Sequence, residues 1–165
     1  SRIPPGSTVL LGIGTTVQYV AEALAQTPDT TIVTNNLEVA TVLCHAPSCE
    51  VHVMAGQLRP EDRDLVGASV LKGYSRFLAD FGIIGAGALD VEFGLLDYKK
   101  FDAEVSNIIQ SSARRVLCVA DHSKWNRTAP HRVAGLSQMD EFITDKLPEG
   151  LDWRQTAPDL DLYLC

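Results

Sequence analysis

Short apolar runs alternate with amphipathic helical patterns along this chain, and this alternation restricts its possible folds more than any other feature. The clearest unit is TVLLGIGTT at residues 8–16, where an apolar run meets two glycines and two threonines. A helical pattern over residues 16–26 follows. Regular alternation of strands and helices predicts βαβ units and a mostly parallel sheet. We therefore expect an α/β fold, a Rossmann-like three-layer αβα domain.

The remaining elements follow the same order. Further strands are predicted over residues 30–34, 51–54, 81–84, 116–120 and 142–144, and helices over residues 37–46, 66–78 and 103–115. The segments 57–64 and 85–98 are predicted to be loops, because the first is polar and the second is rich in glycine. The final LDLYLC alternates, which predicts an edge strand. A length of 165 residues suits one domain with a substantial core, so we expect a single domain over residues 1–165.

Candidate site residues follow from the predicted parallel sheet. Ligands of such sheets bind outside the carboxyl ends of the strands, so polar residues and glycines at those ends are the candidates. They are Gly14, Thr15, Thr16, Asn35, Asn36, Gly56, Arg59, Gly85, Gly87, Asp121, Ser123 and Lys124. Asp80 joins them because it abuts the fourth predicted strand. We expect all of these residues to converge on one rim of the sheet.

The GIGTT stretch predicts an anion site at a helix N-terminus. It is not the dinucleotide fingerprint, because position 17 is Val17 rather than glycine, and there is no Walker lysine. What remains is a glycine turn whose backbone N–H groups face a ligand and favour negative charge. Thr15 and Thr16 add hydroxyl donors for phosphate oxygens. The alternative is that Thr15 only caps the helix.

Two cations are well placed to bind an anion in this acidic chain. Arg59 lies in the polar loop, and Lys124 ends the ADHSK stretch after the fifth strand. Charge-assisted hydrogen bonds from such groups are strong. The alternative is that both are ordinary solvated side chains. Asn35 also has two alternative roles, because its side chain can cap the next helix or bind a sugar hydroxyl.

Asp80 and Glu104 are the candidate acids. Asp80 precedes FGIIG, and Glu104 opens an amphipathic helix, where the helix dipole favours an acid. Each is alternatively an ordinary surface carboxylate. No histidine has a serine or cysteine at an interpretable spacing, so no catalytic triad is predicted.

Composition narrows the possible partners. The net charge of −7 opposes binding of nucleic acid or an anionic membrane by this chain. No apolar run is long enough to span a bilayer, and no signal peptide is visible. Four sparse cysteines fit a reducing cytoplasm, and the spacing of Cys44, His45, Cys49 and His52 matches no zinc motif. We therefore expect neither a metal nor a cofactor.

Six motifs taken together resemble a known family. They are, in order, GIGTT, TNNLEVA, AGQLR followed by Gly67, ADFGIIGAGALD, Gly94 with DAEV, and ADHSK. Over about residues 3–145 the chain resembles the C-terminal effector-sensing domain of DeoR-type bacterial transcription regulators. The resemblance implies a fold like that of ribose-5-phosphate isomerase. It also implies a repressor whose effector is a phosphorylated sugar or a related phosphorylated metabolite.

The same resemblance implies partners and site residues. The family carries a winged helix-turn-helix domain before the sensor, so we expect DNA binding only through a domain missing from this chain, which begins abruptly at SRIPPG. Sensors of this type are usually homo-oligomers. The effector-binding residues implied by the family motifs are Gly14, Thr15, Thr16, Asn35, Gly56, Arg59 and Lys124, with Glu104 and Asn35 expected to face sugar hydroxyls.

The main alternative is a sugar-phosphate isomerase, which needs a base near its substrate. The likeness to the isomerase would make Glu104 the base and Asp80 a supporting acid. However, the isomerase has a second aspartate soon after the first and a lysine followed by glycines. Here Asp90 lies too far on, and Phe101 follows the lysines. Gly12 also stands where the regulators usually have aspartate, and Ala55 replaces the first of two glycines. We therefore expect a sensor rather than an enzyme.

Overall fold

A parallel sheet forms the centre of the molecule in the computed structural model, which describes residues 2–165 apart from the side chain of Asn126. In chain order the strands are β1 (Thr8–Leu11), β2 (Thr30–Thr34), β3 (Cys49–Val53), β4 (Gln57–Arg59), β5 (Asp64–Val66), β6 (Ala79–Ile84), β7 (Ala88–Asp90), β8 (Gly94–Asp97), β9 (Ala113–Val119), β10 (His131–Ala134), β11 (Glu141–Thr144) and β12 (Asp161–Leu164). The helices are α1 (Thr15–Leu24), α2 (Leu37–Leu43), α3 (Ala68–Tyr74), α4 (Lys100–Ser111) and α5 (Trp153–Thr156), with 3-10 turns over His122–Asn126 and Leu136–Gln138.

The strand order creates a switch point beside β1. Seven strands pair in the order β12-β11-β9-β6-β1-β2-β3, and every pairing between them is parallel. The chain first builds outward from β1 to β3, then returns to the other side of β1 at β6. In β1, Leu11 lies opposite both Thr34 of β2 and Ile83 of β6. The crevice at such a reversal is the usual ligand site of an open parallel sheet.

Two apolar clusters pack against opposite faces of the sheet. One cluster joins α1 and α2 to β1, and it includes Val17, Val39 and Leu11. The other joins α3, α4 and α5 to the opposite face, and it includes Ile109 and Phe142. Helices on both faces require strands that are apolar on both sides, as the sequence of these strands is. The predicted three-layer αβα architecture is confirmed.

The two segments that the sequence predicted to be loops contain short strands. Residues 57–64 fall largely in an antiparallel hairpin of β4 and β5, and residues 85–98 supply β7 and β8, which pair with β10 in a second small sheet. The turn before β8 needs Gly94, which has φ +80°, and a Cβ there would lie 2.2 Å from the carbonyl oxygen of Ala134. The loop prediction was wrong because three- and four-residue strands carry too little periodicity to detect.

The C-terminal segment closes one edge of the sheet. β12 pairs in parallel with β11, with Phe142 opposite Leu162, so the predicted edge strand is confirmed. Before it, the Trp153 ring stacks on the Phe142 ring at a centroid distance of 5.3 Å, and its indole N–H donates to the carbonyl oxygen of Leu160 at 3.1 Å. Among the described residues, no helix has the length and apolar character that crossing a bilayer requires.

Candidate functional site

A cavity of about 280 Å³ lies at the switch point of the sheet. Its walls come from the turn after β1, the segment after β6, the end of β8, one face of α4 and the 3-10 turn after β9. The residues that line it include Gly14, Thr15, Thr16, Asp62, Gly85, Gly87, Asp97, Tyr98, Ser106 and Lys124. The start of the turn after β1 is held against β6, because Gly12 N–H donates to the carbonyl oxygen of Ile83 at 3.0 Å. Distant parts of the sequence therefore meet in one cavity that has both polar and apolar walls.

The N-terminus of α1 presents free backbone donors to this cavity. Gly14 is the N-cap residue, with φ 123°, and no side chain caps the helix. The first intrahelical bond runs from Gln18 N–H to the Gly14 carbonyl oxygen, at 3.1 Å. The N–H groups of Thr15, Thr16 and Val17 therefore have no intrahelical partner. The alternative that Thr15 caps α1 is wrong, because Thr15 is the first residue of the helix.

Lys124 brings a positive charge to the same cavity. The turn that carries it is held by Asp121, whose carboxylate accepts from Ser123 N–H at 2.9 Å and whose carbonyl accepts from Lys124 N–H at 3.2 Å. The hydrogen bond from Ser123 keeps the pKa of Asp121 below its ordinary value. In the part of the chain that the structure describes, Lys124 forms no ion pair within 4 Å. Its ammonium group is thus available to an anionic ligand.

Asp97 and Ser106 line the cavity, although sequence reasoning did not find them. Asp97 is half-buried, and its Oδ1 accepts from Tyr98 N–H at 3.0 Å. Burial and the neighbouring charge of Asp102 raise the pKa of Asp97 to about 6. Gly87 makes room for this carboxylate, since a Cβ there would lie 3.0 Å from Oδ1. The available signal was the aspartate that ends the apolar GLLD run, which the loop prediction concealed.

Asn35 is a buried structural residue and does not line the cavity. Its Nδ2 donates to the carbonyl oxygen of Leu65 at 2.9 Å, and its backbone N–H donates to the Tyr74 hydroxyl at 2.8 Å. The helix cap is Asn36, whose Oδ1 accepts from Glu38 N–H at 2.9 Å. Both interpretations of Asn35 from the sequence are thus corrected. Its side chain ties the β4–β5 hairpin to the sheet.

We expect Tyr74→Phe to lower the free energy of unfolding by about 1–2 kcal/mol, because it leaves buried polar groups unsatisfied. The Tyr74 hydroxyl is fully buried, lies 2.7 Å from the Leu11 carbonyl oxygen and accepts from Asn35 N–H. Urea denaturation measures the change. Tyr19→Phe is the matched control, because Tyr19 is 70% exposed and should change little. Equal effects of the two variants would contradict the role assigned to the Tyr74 hydroxyl.

Arg59 and Gly56 do not line the cavity and serve the fold. The Arg59 guanidinium forms a two-bond fork on Asp64, at 2.8 and 2.7 Å, and also binds Asp102 at 2.7 Å. The expectation that it binds phosphate is corrected, because its charge is already matched by carboxylates. At Gly56 a Cβ would lie 2.6 Å from the Val66 carbonyl oxygen, so packing alone requires glycine there.

Asp80 and Glu104 also lie outside the cavity. The Asp80 carboxylate accepts from Thr8 N–H at 2.9 Å, which places it at the amino end of β1, opposite to the switch point. β6 begins at Ala79, so Asp80 lies at the start of the strand, as its position before FGIIG indicated. Glu104 is half-exposed on α4 and pairs with Lys100 at 3.5 Å. The prediction that all candidate residues converge on one rim is therefore wrong for Asp80 and Glu104. Glu104, the base under the isomerase alternative, does not line the cavity.

A second, larger cavity of about 580 Å³ lies on the α1 face of the sheet. Its walls are mainly apolar, with Tyr19, Leu117 and Ile143 among them. Arg2 lies at its rim, but the guanidinium is held by the Glu141 carboxylate at 2.8 Å. This cavity therefore lacks the free donors and the unpaired cation that a phosphate needs. Among the described residues, no group of three or more His, Cys, Asp or Glu side chains is arranged to hold a metal ion.

The fold and the position of the polar cavity define the class of protein. The structure is similar to ribose 5-phosphate isomerase from Plasmodium falciparum, with a TM-score of 0.50 at 16% identity, over 74% of this chain and 46% of the isomerase. At that identity the likeness shows the fold alone. The chain is thus an α/β domain with the fold of the sugar-phosphate isomerases.

Sequence similarity shows the family to which the chain belongs. The model of the DeoR C-terminal sensor domain matches residues 1–146, and the chain belongs to this family. It is 39% identical to the glycerol-3-phosphate regulon repressor of Haemophilus influenzae, over 99% of this chain and 64% of the repressor. It is 36% identical to the repressor of the same name from Escherichia coli, over 99% of this chain and 66% of that protein. The chain thus spans about two thirds of the length of these relatives. They are transcriptional repressors by name, as the resemblance implied.

Proposed function

We propose that this domain senses a small phosphorylated polyol or sugar, which binds in the cavity at the switch point. The observation that carries the proposal is the convergence of free N–H donors at the start of α1 with the unpaired Lys124 in one cavity. Both features favour an anion. Gly14, Thr15, Thr16 and Lys124 form the phosphate end of the proposed site.

The charges in the cavity orient the proposed ligand. Asp62 and Asp97 also line it. Asp62 is paired with Arg59 at 2.9 Å and with Lys99, so Asp97 is the carboxylate that would repel a phosphate placed beside it. The phosphate therefore sits against α1 and Lys124, and the carbon chain points towards Asp97. This orientation replaces the one expected from the sequence, in which Asn35 and Glu104 faced the sugar hydroxyls.

Glycerol 3-phosphate is the first candidate for the effector. Two relatives are named as repressors of the glycerol-3-phosphate regulon. The cavity of about 280 Å³ lies just below the range of roughly 300–1,000 Å³ usual for small-molecule sites, which favours a short carbon chain over a nucleotide.

The whole protein is proposed to be a repressor that binds DNA through a helix-turn-helix domain outside this chain. The acidic sensor does not bind DNA itself, because its net charge of −7 opposes the phosphate backbone. We also propose that the protein is a homo-oligomer and acts in the cytoplasm, where a repressor meets both its operator and a phosphorylated metabolite.

A thermal-shift comparison of phosphorylated and unphosphorylated compounds tests the proposed function. We expect glycerol 3-phosphate at about one hundred times its Kd to add about 2.7 kcal/mol of stability, a rise of about 5–10 °C in Tm for a domain of this size. Glycerol and inorganic sulfate at the same concentration are the controls. The proposal fails if no phosphate monoester in a panel of triose, pentose and hexose phosphates raises Tm beyond these controls.

A further inference from the structure

A buried hydroxyl faces the candidate site without a partner. Ser106 is only 7% exposed and lines the cavity from α4. Among the described residues, no hydrogen bond reaches its side-chain oxygen. A serine inside a helix commonly bonds back to a carbonyl one turn earlier, and Ser106 does not. The hydroxyl is therefore free to bind a ligand in the cavity.

We propose that Ser106 and Asp97 form a subsite that recognises hydroxyl groups on the carbon chain of the ligand. This inference rests on the proposed function and adds the residues that distinguish a polyol phosphate from a phosphate monoester without hydroxyls. Ser106 and Asp97 both line the one cavity, whose phosphate end is formed by α1 and Lys124. A short polyol phosphate extends from one end to the other.

The two side chains suit hydroxyl recognition for different reasons. The Asp97 carboxylate uses Oδ1 to accept from Tyr98 N–H, while no group in the described residues bonds Oδ2. A carboxylate oxygen accepts from a ligand hydroxyl, and the Ser106 hydroxyl can donate or accept. Burial and the charge of Asp102 raise the pKa of Asp97 to about 6, so its carboxylate retains most of its charge at neutral pH. That charge disfavours a second phosphate and favours a hydroxyl donor.

A ligand that lacks hydroxyls would bind with a penalty. Such a ligand displaces water from Ser106 and Asp97 and gives these polar groups no hydrogen bond in return, which costs more than forming the bond gains. The subsite therefore favours polyol phosphates because it lowers the affinity for phosphate monoesters that lack hydroxyls. No such selection is expected from the α1 N-terminus or from Lys124, which contact the phosphate that both kinds of ligand share.

Calorimetric titration of two matched ligands tests the subsite. The probes are glycerol 3-phosphate and n-propyl phosphate, which differ by two hydroxyls and share the phosphate monoester. We expect the domain to bind glycerol 3-phosphate about tenfold more tightly. Ser106→Ala should weaken glycerol 3-phosphate about three- to tenfold and leave n-propyl phosphate unchanged. Asp97→Ala should weaken glycerol 3-phosphate and bind n-propyl phosphate at least as well as before, because it removes a negative charge.

Ser111→Ala is the matched control, because Ser111 lies on the same helix, is exposed and bonds back to the Ile108 carbonyl oxygen at 3.0 Å. It should change neither affinity. If Ser106→Ala lowers the affinity for both ligands equally, the subsite is wrong and Ser106 contacts the phosphate instead. Equal binding of the two ligands by the unmodified domain would overturn the subsite and leave the phosphate site standing. If neither ligand binds, the proposed function fails and the subsite fails with it.

Discussion

Lys124→Ala is expected to weaken binding of glycerol 3-phosphate about ten- to a hundredfold, equivalent to about 1.5–3 kcal/mol. Among the described residues, Lys124 lines the cavity and has no ion-pair partner. Arg59 cannot replace it, because the Arg59 guanidinium is bound to Asp64 and Asp102. Removing Lys124 leaves a phosphate facing only N–H donors and the negative charge of Asp97, because Asp62 is paired with Arg59 and Lys99. Calorimetric titration measures the change.

The control for Lys124 is Lys72→Ala, which removes the same charge from an exposed site on α3. This control corrects for the small effect of net charge on any anion. Because Lys124 acts by charge, its contribution should also shrink as salt concentration rises. Equal affinities of the Lys124 and Lys72 variants for glycerol 3-phosphate would show that Lys124 does not bind the phosphate.

Arg59→Ala is expected to lower the free energy of unfolding by about 3–5 kcal/mol, the largest loss of stability that we predict. The side chain of Asp64 is 0% exposed and that of Asp102 is 8% exposed, and both rely on the Arg59 guanidinium. Burial raises the pKa of Asp102, while its bond to Arg59 opposes that rise. Without Arg59, two buried carboxylates lose their main countercharge. Urea denaturation measures the loss.

Arg63→Ala is the matched control for Arg59, four residues along the same hairpin. Arg63 pairs with Glu38 at 2.6 Å, but its side chain is 71% exposed, so its loss should cost about 0–1 kcal/mol. Arg59→Lys keeps the charge but loses the two-bond fork, so its loss of unfolding free energy should lie between those of Arg59→Ala and Arg63→Ala. A loss below 1 kcal/mol for Arg59→Ala would show that the buried ion cluster does not stabilise the domain.

Local patterns in the sequence were enough to predict the sheet and one end of the candidate site. The apolar run and glycine turn at residues 8–16 define both β1 and the N-terminus of α1, because strand, turn and helix are encoded by neighbouring residues. The rule that ligands bind at the carboxyl ends of strands then brought Lys124 to the same place. Both predictions depend on sequence order alone.

The rest of the site depends on contacts that sequence order does not reveal. Arg59 has a partner, Asp102, that is 43 residues away, and only the folded chain brings them together. Asn35 and Asn36 are adjacent and chemically identical, so the register of β2 decides which one caps α2. Asp80 was grouped with residues that follow strands although it precedes the apolar run, and the residues before a parallel strand lie at the edge opposite the ligand site. Ser106 carries no signal at all, because an unpaired buried hydroxyl is defined by its surroundings.

The central claim is that a phosphorylated polyol binds at the switch point with its phosphate at the start of α1. The most direct test is a two-dimensional amide NMR titration of the domain with glycerol 3-phosphate, with glycerol as the control. We expect the largest shifts at Gly14, Thr15, Thr16 and Lys124 and in the Gly85–Gly87 segment, because these residues line the cavity. Glycerol at the same concentration should leave them nearly unchanged. Saturable shifts confined to the apolar cavity of Tyr19, Leu117 and Ile143, or to the β4–β5 hairpin, would contradict this account.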